Sequence, residues 1–207
     1  MKKTKRIFRS PLMMAVLGIA LVAGSTPAAA NYGYGTPIDR SGAYLGISGM
    51  GNIVLNQANA PVNGFIDQGG GLGLFLGWRI MPMFALELGY AVNFHNPVQD
   101  PNGVTVDALV LHAFTLDGKL IFPNRSIVRP FLQLGLGIYE LATYADNTFY
   151  RNGIGLQLGG GLDVWLGRTL SIGGRILYHG IAFTQYIYEH RPFLSTLSIE
   201  INLQVHF

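Results

Sequence analysis

The chain has 207 residues, about half of them apolar and 12% charged, with 28 glycines and no cysteine. Without cysteine there is no disulfide framework, thiolate metal site or thiol nucleophile. Fourteen basic residues against eleven acidic give a formal charge of +3, but Lys2, Lys3, Lys5, Arg6 and Arg9 all lie at the N-terminus; the rest of the chain is slightly acidic, and no nucleic-acid partner is expected.

The chain opens with basic "MKKTKRIFRS", an apolar run "PLMMAVLGIALVAG" and small-residue "STPAAA". The run is shorter than the roughly 20 residues a spanning helix needs. With Ala28 and Ala30 placed for an A-x-A cut, residues 1–30 are expected to be a secretory signal peptide cleaved after Ala30. A short N-terminal segment, 31–40, then leads into one domain, 41–207. Past the leader no apolar stretch approaches the length of a membrane helix, so the hydrophobicity is spread over short segments.

Period-2 alternation and turn residues predict eight strands, near 41–54, 69–80, 83–95, 104–122, 130–145, 153–167, 169–183 and 193–207. The first, third, fifth and seventh connections are long and polar or aromatic: "QANAPVNGFIDQ", "NPVQDPNG", "ADNTFYRN" and "TQYIYEHR". The second and sixth are the minimal "MPM" and "GRT", and the fourth, "PNRSIVR", is intermediate. An even number of antiparallel strands with short turns at one end and longer loops at the other predicts an all-β fold, an eight-stranded antiparallel transmembrane β-barrel with both termini periplasmic. A soluble sandwich would also alternate. Here, however, the strands are long, and the parity opposite the apolar one carries Gly and a few charges instead of the Lys, Glu and Thr of a solvent-facing sheet. Small residues suit the narrow interior of an eight-stranded barrel. Trp78, Phe84, Phe122 and Phe207 near the short turns, and Phe94, Tyr178, Phe183 and Phe193 near the loops, are expected to form two interfacial girdles.

With "FALELGYAVNF" on the third strand, "RPFLQLGLGIYE" on the fifth, "GIGLQLGGGLDVWLG" on the sixth and "SIEINLQVHF" at the end, residues 41–207 resemble the eight-stranded outer-membrane β-barrel family typified by the transmembrane domain of outer membrane protein A and by outer membrane protein W. The resemblance implies that Phe207, Val205, Leu203 and Ile201 form an assembly signal read by the barrel-insertion machinery. It also implies outer-membrane lipid and lipopolysaccharide as surroundings in a Gram-negative envelope. No peptidoglycan-binding domain follows Phe207, so no cell-wall tether is expected, and a monomer is.

On the inward parity the ionisable residues are Arg79, Glu87, Asp117, Lys119, Asp163, Arg175, Glu200 and His206. Hairpin geometry puts Arg79 across from Glu87, and Asp163 across from Arg175, directly or diagonally. These are expected to be paired charges plugging the lumen near the periplasmic end, since an unpaired charge in a dry lumen is costly. In "VDALVLHAFTLDGKLIF" a strict alternation cannot put His112 inside together with Asp117 and Lys119. The charges are expected inside, with a bulge near Ala113 to accommodate the histidine.

Catalysis is not expected. The segment "LYHGIAF" offers His179, but a deacylase-like pairing would want Ser where Ile181 stands. His95, His112, His179, His190 and His206 form no metal-ligand spacing, and the glycine runs lack a phosphate-binding context, so no cofactor is expected either. The sequence reading is a structural or binding barrel with a plugged lumen. Its alternatives are a narrow channel for small or hydrophobic solutes and an adhesin acting through outer loops such as "FIDQ" and "QYIYEHR".

Overall fold

The computed structural model describes residues 41–58, 68–96, 109–122, 126–143, 150–184 and 193–207. These belong to one compact unit, residues 34–207; a second unit, residues 1–33, lies outside them, as do the expected signal peptide with Ala28 and Ala30, His190 and most of the long connections. The unit is a closed barrel of eight antiparallel strands in sequential order. They are β1 Gly42–Ala58, β2 Gly69–Met81, β3 Phe84–His95, β4 Leu109–Ile121, β5 Val128–Thr143, β6 Tyr150–Trp165, β7 Leu170–Phe183 and β8 Phe193–His206. Closure pairs β1 with β8, so none of the eight described strands is left as a sheet edge.

Several boundaries differ from the sequence expectation by one to four residues, and three of the differences have a visible cause. β5 starts at Val128, before Pro130; proline has no N–H to donate, but its carbonyl accepts from Phe122 N at 2.9 Å and the ladder continues. β1 runs on to Ala58 past a register shift between Val54 and Asn56, and β6 begins at Tyr150 because Ala142 still has a partner there. Residues 104–108, expected in the fourth strand, lie outside the described residues.

Alternation sorts the side chains as a membrane barrel requires. Leu72, Leu136, Ile154 and Ile201, all more than 60% exposed, stand among a continuous belt of outward aliphatics, which only a hydrocarbon environment can cover. Trp78, Phe122 and Phe207 are exposed at the turn end, and Phe94, Tyr178 and Phe193 at the loop end. Phe183 departs from the expected outer girdle: sharing parity with Ile181, it is buried inside the barrel with Leu109, Leu111, Leu141 and Leu194.

The register is staggered. Following partners from Tyr44 through Gly77, Glu87, Asp117, Gly135, Gln157, His179 and Thr196 returns to β1 at Val54, ten residues beyond the start. Such shear tilts the strands, so a single level of the lumen is built from several register rows.

Small residues on the inner face make room for large neighbours. A Cβ on Gly77 would enter the ring of its register partner Tyr44, and one on Gly46 would enter the ring of Phe75. Gly77→Val is therefore expected to destabilise the refolded barrel by about 1–3 kcal/mol, the usual cost of overpacking, by urea titration. Gly49→Val, where a Cβ meets open space on the outer face, should leave the midpoint nearly unchanged.

Candidate functional site in the barrel lumen

The interior is filled in three stacked regions. At the end carrying Gly42 and His206, the Arg79 guanidinium lies 5.3 Å from the Trp165 ring centroid. Trp165 stacks on His206 at 4.1 Å, and His206 faces Tyr44 at 5.2 Å. His206 Nε2 is hydrogen-bonded to Ser171 Oγ at 2.8 Å. These rings close the barrel at that end.

Above them lies an ionic network. Glu87 on β3 accepts from Tyr44 Oη at 2.6 Å and from Lys119 Nζ at 3.3 Å on one oxygen, and from Arg175 at 3.1 Å on the other. Lys119 on β4 also reaches across the lumen to Asp163 on β6 at 2.8 Å and sits 3.8 Å from the Phe131 ring centroid. Arg175 on β7 binds its direct neighbour Glu200 on β8 at 2.7 Å and Gln133 at 3.3 Å. Gln204 donates to Asp163 at 2.9 Å. Asp117 accepts from Gln157 and from Thr115.

All seven charged residues singled out from the sequence therefore face the lumen, but the ion pairs differ from those expected. Arg79 and Glu87 are diagonal on the β2–β3 hairpin, as are Asp163 and Arg175 on β6–β7; yet the Glu87 carboxylate binds Lys119 and Arg175, and Asp163 binds Lys119. In so narrow a tube the opposite wall is as near as a diagonal neighbour, and long Lys and Arg side chains span it.

Arg129 was missed. It is buried on the inner face opposite Asp163, and its position follows from β5 beginning before the proline. Among the described residues the lumen then carries four cations, Arg79, Lys119, Arg129 and Arg175, against four anions, Glu87, Asp117, Asp163 and Glu200. A core with equal numbers of opposite charges can leave water far more cheaply than one with an excess. Of the polar neutral members, Gln157 and Gln204 lie on the polar parity read from the sequence, whereas Tyr44 and Gln133 went unread; their inward parity was the available signal.

The third region, toward the loops, is mixed. Asn52 donates to Asn93 at 2.6 Å and accepts from Ser198, while Tyr139 and His179 are hydrogen-bonded at 3.2 Å. Beside them Leu109, Leu111, Ala113, Leu141, Ile181, Phe183 and Leu194 form an apolar cluster inside the barrel.

The expected bulge near Ala113 is absent. The register runs unbroken past Ala113 on both sides of β4, and His112 simply faces outward. It can do so because Tyr90, on the same outer face, binds its Nδ1 at 2.9 Å and stacks on its ring.

A sequence model of the family described as outer membrane protein beta-barrel domain matches residues 16–207. No curated protein matches. Among solved structures the chain is similar to Neisserial surface protein A (NspA), with 14% identity and a TM-score of 0.65 over 81% of this chain and 98% of that one. It is also similar to OprG from Pseudomonas aeruginosa, at 12% identity and a TM-score of 0.57 over 84% and 99%. A third is Ail, the attachment invasion locus protein of Yersinia pestis, at 12% identity and a TM-score of 0.50 over 80% and 99%. At these identities the likeness is one of fold.

Proposed function

The chain belongs to the outer membrane protein beta-barrel domain family and so is a protein of the Gram-negative outer membrane; on that premise we propose that it is a structural or binding barrel whose lumen does not conduct and whose residues carry out no catalysis. The observation that carries this reading is the network in which Glu87, Lys119, Asp163, Arg175 and Glu200 cross-brace the lumen. For an ion to pass, it would have to displace charges that are already matched and lie behind the Trp165–His206–Tyr44 cap. The Ser171–His206 pair offers no nucleophile, since Ser171 is fully buried.

Both termini face the periplasm and the long connections face outward, a reading supported by the short turns sharing the end of the barrel with Gly42 and His206. The protein works as a monomer amid outer-membrane lipid and lipopolysaccharide, supported by a belt of exposed aliphatics contributed by all eight strands.

Planar-bilayer recording tests the closed lumen. The purified barrel is expected to give no regular current steps above the bare bilayer. Discrete, reproducible steps that depend on the protein would overturn the reading in favour of a narrow channel.

A further inference from the structure

Between the ionic network and the loop ends of the strands lies a cavity of about 40 Å³, room for roughly three waters or an equal volume of ligand. Its floor is the Arg175–Glu200 pair with Gln157. One part of its wall is made of amides and hydroxyls from Ser48, Asn52, Asn93 and Ser198, and another is aliphatic, from Leu177 and Ile181.

From this arrangement we infer that the loop-side half of the lumen is a binding site for a compact neutral polyol. Two side-chain atoms in the cavity wall, Ser48 Oγ and His179 Nε2, are buried and have no protein hydrogen-bond partner. They come from different strands, β1 and β7, so the site asks for a ligand with more than one polar group. Each can donate or accept, depending on hydroxyl rotation and imidazole tautomer, and a ligand hydroxyl, which also does both, suits either state. The CH faces of a polyol would meet Leu177 and Ile181.

Charge excludes an ionic occupant. Arg175 is already matched by Glu200 and Glu87, and Asp117 is held by Gln157 and Thr115. An anion entering the cavity would lie near the carboxylate of Glu200, and a cation near the guanidinium of Arg175; either would lose hydration without gaining a free countercharge. Small residues in the wall, Gly73, Gly89, Ala91 and Ala113, leave the space that a ligand would fill. The site uses the ionic network only as a floor, so it does not depend on whether the barrel conducts.

The test uses the full barrel in lipid nanodiscs with isotope-labelled histidine, titrated with glycerol while the His179 imidazole resonances are followed. A saturable shift is expected in the parent protein. It should be lost in Ala91→Leu, which fills the cavity without touching a charge, and weakened in Ser48→Ala, with unboiled gel mobility unchanged in both variants. Glycerol 3-phosphate, of similar shape but charged, should produce no saturable shift. A linear, non-saturating drift in the parent would overturn the site. So would unchanged glycerol affinity in a folded Ala91→Leu barrel, or, should that variant not fold, in Ser48→Ala, and so would tighter binding of the phosphate than of glycerol.

Discussion

Glu87→Ala is expected to be the most damaging single change in the lumen, lowering stability by about 3–5 kcal/mol, the typical cost of leaving a buried charge without its partner. Among the described residues, Glu87 alone binds Lys119, Arg175 and Tyr44 together. Removing it takes one anion from both cations and leaves the Tyr44 hydroxyl without its acceptor. The double change Glu87→Ala with Lys119→Met removes one charge of each sign, and should cost less than the single change despite altering more atoms. Glu87→Ala with Arg79→Ala restores the charge balance but leaves Lys119, Arg175 and Tyr44, which all bind the Glu87 carboxylate, without it, so that combination should recover little. Urea unfolding in one detergent, followed by tryptophan fluorescence and gel mobility, checks the order. Strictly additive losses would mean that the charges are individually hydrated and that no network exists.

Deleting Phe207 is expected to reduce the amount of folded protein in the outer membrane several-fold. The structure bounds how much of that loss can be ordinary stability. Phe207 N donates to Ala43 O at 2.9 Å across the β1–β8 seam, and the ring is 69% exposed on the outer face, so the deletion removes about one hydrogen bond, worth roughly 0.5–1.5 kcal/mol. The seam is tight there: a Cβ on Gly42 would strike the Phe207 carbonyl oxygen. If the alternating Ile201, Leu203, Val205 and Phe207 are read by the insertion machinery, the deletion should lower assembly in cells far more than it shifts the urea midpoint of the refolded protein. Phe193→Asp, at the other end of the same strand, should show no such excess. Equal losses in the two measurements would make Phe207 a seam residue and nothing more.

Much of this barrel was legible in the residue pattern. A barrel wall is one residue thick, so period-2 alternation specifies at once which side chains face lipid and which face the lumen, and two minimal turns fix hairpin pairing. Parity alone therefore places Leu72, Ile154 and Ile201 outward, and Arg79, Glu87, Asp117, Lys119, Asp163, Arg175 and Glu200 inward. The expectation failed where a local cue outweighed parity: Pro130 hid the start of β5 and with it Arg129, His112 prompted a bulge that Tyr90 makes unnecessary, and Phe183, on the parity of Ile181, was counted with the outer aromatics.

Which inward groups touch was decided by tertiary structure. Hairpin reasoning sees two adjacent strands, whereas the contacts of Lys119 with Asp163, and of Arg175 with Glu87, cross the lumen between strands that are not neighbours. Those distances depend on the barrel's closure and on a stagger of ten residues around it, and each strand contributes to that stagger only a small offset that its own sequence does not display. The same closure makes a cavity above the network and an aliphatic cluster beside it. Alternation determined the direction of each side chain; the circumference and shear of the closed sheet determined what it meets.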